Sequence, residues 1–192
     1  MSSRTKLKKP AARSSPPIWR RLPWGAIRAA ALFAVIFGLW LYALTVGFLQ
    51  DHLWLPFVGL VADTCGWIFR LFGATVETSA RTLTVNGTAL TIAFGCDGLE
   101  AHGIFIAAIL AAALPWKRKL IGLLIGTIGI FLINQIRVCG IFLVAGMGGD
   151  WFYYAHTVVG QTFVIVGTMG LFLWWATRDE GEEKPKSEEA LA

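Results

Sequence analysis

The run from Ala29 to Leu49 carries no charged residue and is almost entirely apolar. A helix of about 20 apolar residues crosses the hydrocarbon core of a bilayer, and this run lacks the small-residue cleavage site that ends a signal peptide. Charged residues make up only 15% of the chain, whereas a soluble domain averages about 25%. These features argue against a soluble enzyme, a fibrous repeat or a disordered chain, and they predict an integral membrane protein.

Basic residues are concentrated at the amino terminus. Residues 1–28 hold eight Lys or Arg and no acidic residue, residues 29–176 hold six of each sign, and residues 177–192 hold three basic and six acidic residues. A short basic segment directly before an apolar run is typical of a cytoplasmic flank rather than of a nucleic-acid site. We therefore predict a basic disordered cytoplasmic N terminus over residues 1–25, a membrane-embedded domain over 26–176, an acidic cytoplasmic tail, and no nucleic-acid partner.

The apolar segments predict an all-α membrane protein, a polytopic helical bundle with about four full spans. The predicted spans cover residues 26–49, 98–114, 120–146 and 157–176. Residues 53–73 are also apolar but contain Asp63 and Arg70, which lie seven residues apart and share a helix face. A crossing there would force one basic cluster outside the cell, so we predict an interfacial or re-entrant segment instead.

Two local motifs predict how the chain turns and packs between these spans. Residues 81–95 alternate Thr with apolar residues around Asn86-Gly87. That dipeptide indicates a small β-hairpin, which must lie outside the bilayer because open sheet edges do not sit in lipid. Gly122 and Gly126 form a small-xxx-small pattern that favours close helix packing.

Cys96 differs from the other two cysteines in its surroundings. Cys65 and Cys139 lie in apolar runs that are typical of buried, inert thiols. Cys96 instead lies in the segment 95–98 (GCDG), where an extended stretch meets a predicted helix start. The positive end of a helix dipole there would favour the nucleophilic thiolate. Taken alone, the position fits a structural cysteine equally well.

Arg137 and His156 are also unusual at their positions. Arg137 lies nine residues before Gly146, about 13 Å inside the predicted span, where an arginine usually faces an internal polar site. An ion pair with Asp63 or Glu100 is the structural alternative. His156 lies at the outer end of the last span.

The predicted topology places Cys96, Arg137 and His156 in the same outer leaflet. These groups suffice for acyl transfer: a thiolate attacks a carbonyl, a guanidinium stabilises the oxyanion, and an imidazole protonates the leaving amine. The supporting candidates are Asn134, on the same helix face as Arg137, and Asp97 and Glu100, which could orient a histidine or pair with Arg137. His102 is a rival general acid, nearly two turns deeper. The Cys and His spacing predicts no metal site, and no cofactor is expected.

At these residues the sequence resembles a known family. The segments GCDGLEAHGIF, NQIRVCGIF and YYAHTVVGQ are similar to the three signature regions of the exosortase/archaeosortase family of membrane-embedded cysteine transpeptidases. The resemblance covers roughly residues 85–175, and the short chain is similar to a compact form such as exosortase H. It implies that Cys96 is the nucleophile and that Arg137 and His156 are the other catalytic residues.

The resemblance also implies a biochemical role. The expected substrates are membrane-anchored secreted proteins with a C-terminal sorting tail, which the enzyme would cleave at the outer membrane–water interface and transfer to a surface polysaccharide or lipid acceptor. The expected location is the plasma (inner) membrane, with a multi-pass topology and the active site facing the periplasm or exterior. Alternatives are a non-catalytic membrane assembly protein or a transport subunit, in which Arg137 and Asp63 would line a path.

Overall fold

The computed structural model describes residues 24–145 and 150–178, which form a mostly helical membrane protein with one small sheet. The predicted N-terminal region up to residue 23 and the tail beyond residue 178 lie outside the described residues. The helices are α1 (Trp24–Thr45), α2 (Gly47–Leu49), α3 (Leu55–Leu71), α4 (Leu99–Ala111), α5 (Trp116–Ala145), α6 (Asp150–Tyr154) and α7 (Gly160–Thr177). Two π-helical turns, Gln50–Trp54 and Ala155–Val159, precede α3 and α7.

Four helical stretches are long and apolar enough to cross a membrane, which confirms the predicted polytopic helical bundle. They are Trp24–Thr45, Gly47–Leu71, Trp116–Ala145 and Phe152–Thr177. The set differs from the predicted one, because the segment around α4 is shorter than expected. The helix ends at Ala111 and the next residue is already extended, three residues before Pro115. Its 13 residues measure about 20 Å at 1.5 Å per residue.

The helix α3 runs in the same direction as α5. The contacts between them pair residues in ascending order along both helices, Phe57 with Phe131, Cys65 with Cys139 and Phe69 with Phe142. A segment that crossed the bilayer in the opposite sense to α5 would pair them in descending order. The interfacial or re-entrant segment stays a prediction, because Gly47–Leu71 has the length and composition of a span.

The two charged residues of α3 do not form a buried pair. Asp63 and Arg70 are both exposed, and Arg70 donates a hydrogen bond to the Val76 carbonyl at 3.1 Å. Burying an ionised side chain without a partner is costly, so exposed charges suit a helix whose outer face lies in the membrane interface. Asp63 is therefore exposed on the surface of the bundle, whereas Arg137 is buried inside it.

The predicted hairpin is present as part of a three-stranded antiparallel sheet. The strands β1 (Val76–Ser79), β2 (Thr82–Val85) and β3 (Thr88–Thr91) follow one another in order. The turn between β2 and β3 is Asn86-Gly87, both at positive φ, as this turn type requires. The sequence did not predict β1. The sheet covers α3. Leu83 of β2 is fully buried there, and Gly66 of α3 leaves room for the side chains of the sheet.

Two aromatic side chains pack directly against glycines of α5. Phe105 of α4 lies over Gly126, and Trp175 of α7 lies over Gly122, so that a Cβ at either glycine would overlap the ring. The predicted small-xxx-small motif therefore does allow close packing. The groups that pack against its two glycines are aromatic rings and not the backbone of a neighbouring helix. This packing fixes α4 and α7 against α5.

Candidate active site

Cys96 lies in a tight loop between β3 and α4. Gly95 and Gly98 flank the Cys96-Asp97 pair, with φ of 83° and 86°, a conformation that other residues adopt at a cost. The Cys96 amide donates a hydrogen bond to the Ala93 carbonyl at 3.0 Å and closes the turn. The two glycines therefore allow the chain to reverse sharply and place the thiol between the sheet and the bundle.

Asp97 anchors this loop to three parts of the structure. Its side chain is 1% exposed, and its carboxylate accepts hydrogen bonds from the Leu99 amide at 2.8 Å and from the Trp54 indole at 2.6 Å. The backbone carbonyl of Asp97 accepts a bond from Asn134 Nδ2 at 2.8 Å. Charge-assisted bonds of this kind are among the stronger ones in proteins. Asp97 and Asn134 thus position the loop, and within the described ranges neither forms a hydrogen bond with His156.

The structure brings together the three residues that the sequence singled out. His156 Nε2 lies 3.2 Å from Cys96 Sγ, and a guanidinium nitrogen of Arg137 lies 3.8 Å from the same sulfur. The imidazole stacks on Phe152, one turn earlier, with 5.8 Å between ring centroids. The π-helical turn Ala155–Val159 carries His156, and such turns occur frequently at functional sites.

Arg137 is buried and has no carboxylate partner among the residues that the structure describes. It is 5% exposed, and its Nε has no hydrogen-bond partner among the described residues. Within residues 24–145 and 150–178 it forms no ion pair with Asp63 or Glu100, so the structural alternative for this arginine is not observed. A Cβ on Gly160 would lie 3.0 Å from Arg137 Nε, so this glycine makes room for the guanidinium beside the sulfur.

The environment raises the pKa of the Cys96 thiol above its ordinary value. Burial is the largest cause, and the charges of Asp97 and Glu100 act in the same direction, whereas the charge and hydrogen bond of Arg137 lower the pKa. The raised pKa runs against the expectation of a thiolate in the resting site, because burial disfavours the charged form of the thiol. A neighbouring base must take the proton, and His156 is in hydrogen-bonding range.

Two other candidates, His102 and Glu100, form no hydrogen bond with the thiol among the described residues. His102 is buried, with its ring nitrogens 2.9 Å from the Gly98 carbonyl and 3.2 Å from the Thr127 carbonyl. These contacts hold the His102 ring between the loop and α5. Glu100 is half-buried and lines a cavity with Arg137. Among the residues that the structure describes, no group of His, Cys, Asp and Glu could hold a metal ion.

Two cavities adjoin the site on different sides. A cavity of about 60 Å³ is bounded by Cys96, His156 and the end of β3. A larger one, about 360 Å³, lies between α4 and α7, with Arg137 and Glu100 at one end and mostly apolar side chains elsewhere. Several of these apolar residues are largely exposed, including Ile104, Ile165 and Met169. In a membrane those faces meet lipid, so the larger cavity opens toward the bilayer.

The contacts along α5 give the depth of the site. At its start, Lys119 Nζ donates to the Leu110 carbonyl at the far end of α4. Arg137 lies 18 residues further along the same helix, which is about 27 Å at 1.5 Å per residue. The hydrocarbon core is about 30 Å thick. Most of the thickness of a hydrocarbon core therefore separates Arg137 from the basic residues at the start of α5, measured along the helix.

Gly98 gives the first testable prediction. In Gly98→Ala the new Cβ would lie 2.9 Å from Asn134 Cγ, at a positive φ. We expect the free energy of unfolding to fall by at least about 2 kcal/mol, from backbone strain and overpacking together. Gly87→Ala is the matched control, because Gly87 has a similar φ but open space around it. Equal losses in the two variants, measured by thermal unfolding, would contradict the contact with Asn134.

Sequence reasoning missed two residues that shape the site. Trp54 belongs to an apolar run and carries no sign of its hydrogen bond to Asp97, 43 positions away. Gly160 is one of 21 glycines, and only the packed structure shows that it faces Arg137. The glycines around Cys96 were a usable signal, because a pair at 95 and 98 suggests a strained turn.

Comparison with known proteins gives one result. A family model described as transmembrane exosortase matches residues 18–174, which is most of the chain. Among curated proteins no match is found, and among solved structures none is found either.

Proposed function

The chain belongs to the transmembrane exosortase family, and from this premise we propose that it is a cysteine-type peptidase or transpeptidase. In this proposal it cleaves C-terminal sorting signals from secreted proteins at the outer membrane–water interface. It then transfers the trimmed proteins to a surface acceptor, a polysaccharide or a lipid. The proposed location is the plasma (inner) membrane, with the site facing the periplasm or exterior.

The convergence of three distant chain segments on one sulfur carries the proposal. Cys96 follows β3, Arg137 lies inside α5, and His156 precedes α7, yet both partners lie within 4 Å of Cys96 Sγ. A nucleophile within hydrogen-bonding range of a base, with a cation beside it, is the arrangement that covalent acyl transfer requires. A purely structural cysteine would not need a buried guanidinium and an imidazole at such distances.

The reaction begins with proton transfer. Because the pKa of Cys96 is raised, the resting group is a thiol, and His156 accepts its proton as sulfur attacks the substrate carbonyl. Arg137 stabilises the negative oxygen of the tetrahedral intermediate. His156 then donates the proton to the leaving amine, and an acyl-enzyme forms on Cys96. Water or an acceptor nucleophile, deprotonated by His156, attacks the thioester carbonyl and releases the product.

The larger cavity supports a substrate that shares the membrane. It reaches Arg137 at one end and is lined below by apolar side chains of α4 and α7, some of which face lipid. An apolar segment entering from the bilayer could pack there while its polar flank reaches Cys96. In this proposal, cleavage takes place just outside such a segment, at the membrane–water interface.

Co-expression with a tail-bearing secreted protein tests the proposal. The candidate substrate carries a short motif, an apolar span and a basic end, and its intact mass is measured after membrane extraction. We expect a truncated product, whose mass identifies the second reactant as water, an amine or a glycan. A substrate that keeps its full mass beside folded enzyme, across a panel of such tails, would contradict peptidase activity and favour an assembly or transport role.

A further inference from the structure

Cys65 of α3 and Cys139 of α5 face each other outside the proposed catalytic site. Their sulfur atoms lie 2.9 Å apart, compared with about 2.05 Å in a disulfide. Cys65 is fully buried and Cys139 is half-buried. Side chains on two different helices that already meet sulfur to sulfur need only a small shift to be joined.

We propose that Cys65 and Cys139 form a disulfide that cross-links α3 to α5 in the mature protein. The two thiols lose two protons and two electrons as the S–S bond forms. The oxidant is a protein of the thiol–disulfide oxidase class, whose own disulfide is reduced to two thiols. The Cys139 thiolate attacks the oxidase disulfide while the helices assemble, and Cys65 then displaces the oxidase from the mixed disulfide.

The position of the pair agrees with an oxidising environment. Cys139 lies two residues beyond Arg137, farther from the basic start of α5. This step rests on the proposed function, which places that end of α5 at the periplasm or exterior. Disulfides form and persist in such compartments and are rare in the cytosol.

The cross-link would hold together the two halves of the site. The helix α3 follows the turn that carries Trp54, the partner of Asp97, and it supports the sheet. The helix α5 carries Arg137 and Asn134. Joining residues 65 and 139 closes a long loop that contains Cys96, and closing a long loop restricts the unfolded chain. The geometry leaves Cys96 itself free, because its sulfur faces His156 and Arg137.

Counting free thiols in the full-length protein tests the cross-link. Cells are lysed in N-ethylmaleimide to trap the existing state, and the denatured protein is examined by intact mass before and after reduction. We expect one alkylated cysteine without reductant and two more sites after reduction. Proteolysis without reduction should yield a peptide pair joined through Cys65 and Cys139.

Single cysteine substitutions identify which thiols are free and which are joined. Cys65→Ser should show two free thiols without reductant, and Cys96→Ser should show none until it is reduced. Three free thiols in the unreduced wild type, or a disulfide that includes Cys96, would overturn the cross-link. The proposed function is judged separately by substrate processing, so three free thiols in an enzyme that still trims its substrate would reject the cross-link alone.

Discussion

Cys96→Ser should abolish the processing of a tail-bearing substrate, with a rate at least about a thousandfold lower than that of the wild type. A hydroxyl is a much weaker acid than a thiol, so His156 at 3.2 Å could not generate the nucleophile by the same proton transfer. The measurement is the rate at which full-length substrate disappears in membranes, normalised to the amount of folded enzyme. Processing that persists in folded Cys96→Ser would reject the thiol mechanism.

Substitutions at His156 and His52 form a matched pair that tests the proposed base. His156→Gln should also stop processing, since Gln cannot accept the proton. His52→Gln should leave the rate unchanged, because His52 is exposed and, among the described residues, its ring contacts Phe48 one turn earlier and not the site. Equal losses in both variants would indicate a general effect on folding rather than a base at position 156.

Arg137→Gln should lower the processing rate by about a hundredfold to a thousandfold, which is the usual effect of removing one oxyanion donor. It should also raise the pKa of Cys96 further, because the charge and hydrogen bond of Arg137 are what lower it in the wild type. A higher pKa leaves less thiolate at a given pH. Alkylation of Cys96 by iodoacetamide should therefore be slower at pH 8 and should reach half its maximum rate at a higher pH.

Two further substitutions test the sign of this effect. Glu100 raises the pKa of Cys96, so Glu100→Gln should speed alkylation and move its midpoint to lower pH. Arg28→Gln removes the same charge as Arg137→Gln, but at the exposed far end of α1, and should change neither the midpoint nor the processing rate. An Arg137→Gln enzyme that alkylates like the wild type at every pH would contradict the proposed electrostatic role.

Much of the architecture was accessible from sequence because membranes impose simple rules. Apolar length and basic flanks predicted the helical bundle, and Asn86-Gly87 predicted the β2–β3 hairpin. The same topology predicted that Cys96, Arg137 and His156 share one leaflet, and the three side chains do lie close together. These features depend on local composition or on the bilayer, and neither requires knowledge of tertiary contacts.

The features that sequence could not give depend on contacts between distant segments. The raised pKa of Cys96 comes mainly from burial, and burial depends on how distant segments pack around the thiol. The direction of α3 is set by its packing on α5, and its composition alone resembles an ordinary span. The early end of α4 was masked by the apolar residues that continue to Leu114.

The π-helical turns at Gln50–Trp54 and Ala155–Val159 make the site sensitive to chain length. In each turn an amide reaches back five residues, from Leu55 to Gln50 and from Gly160 to Ala155, so each holds one more residue than an α-helical turn does. Deleting that residue would let the helix relax and rotate everything on one side by about 100°. We therefore expect the site to tolerate substitutions in these turns better than a change in the number of residues between Trp54 and α3 or between His156 and α7.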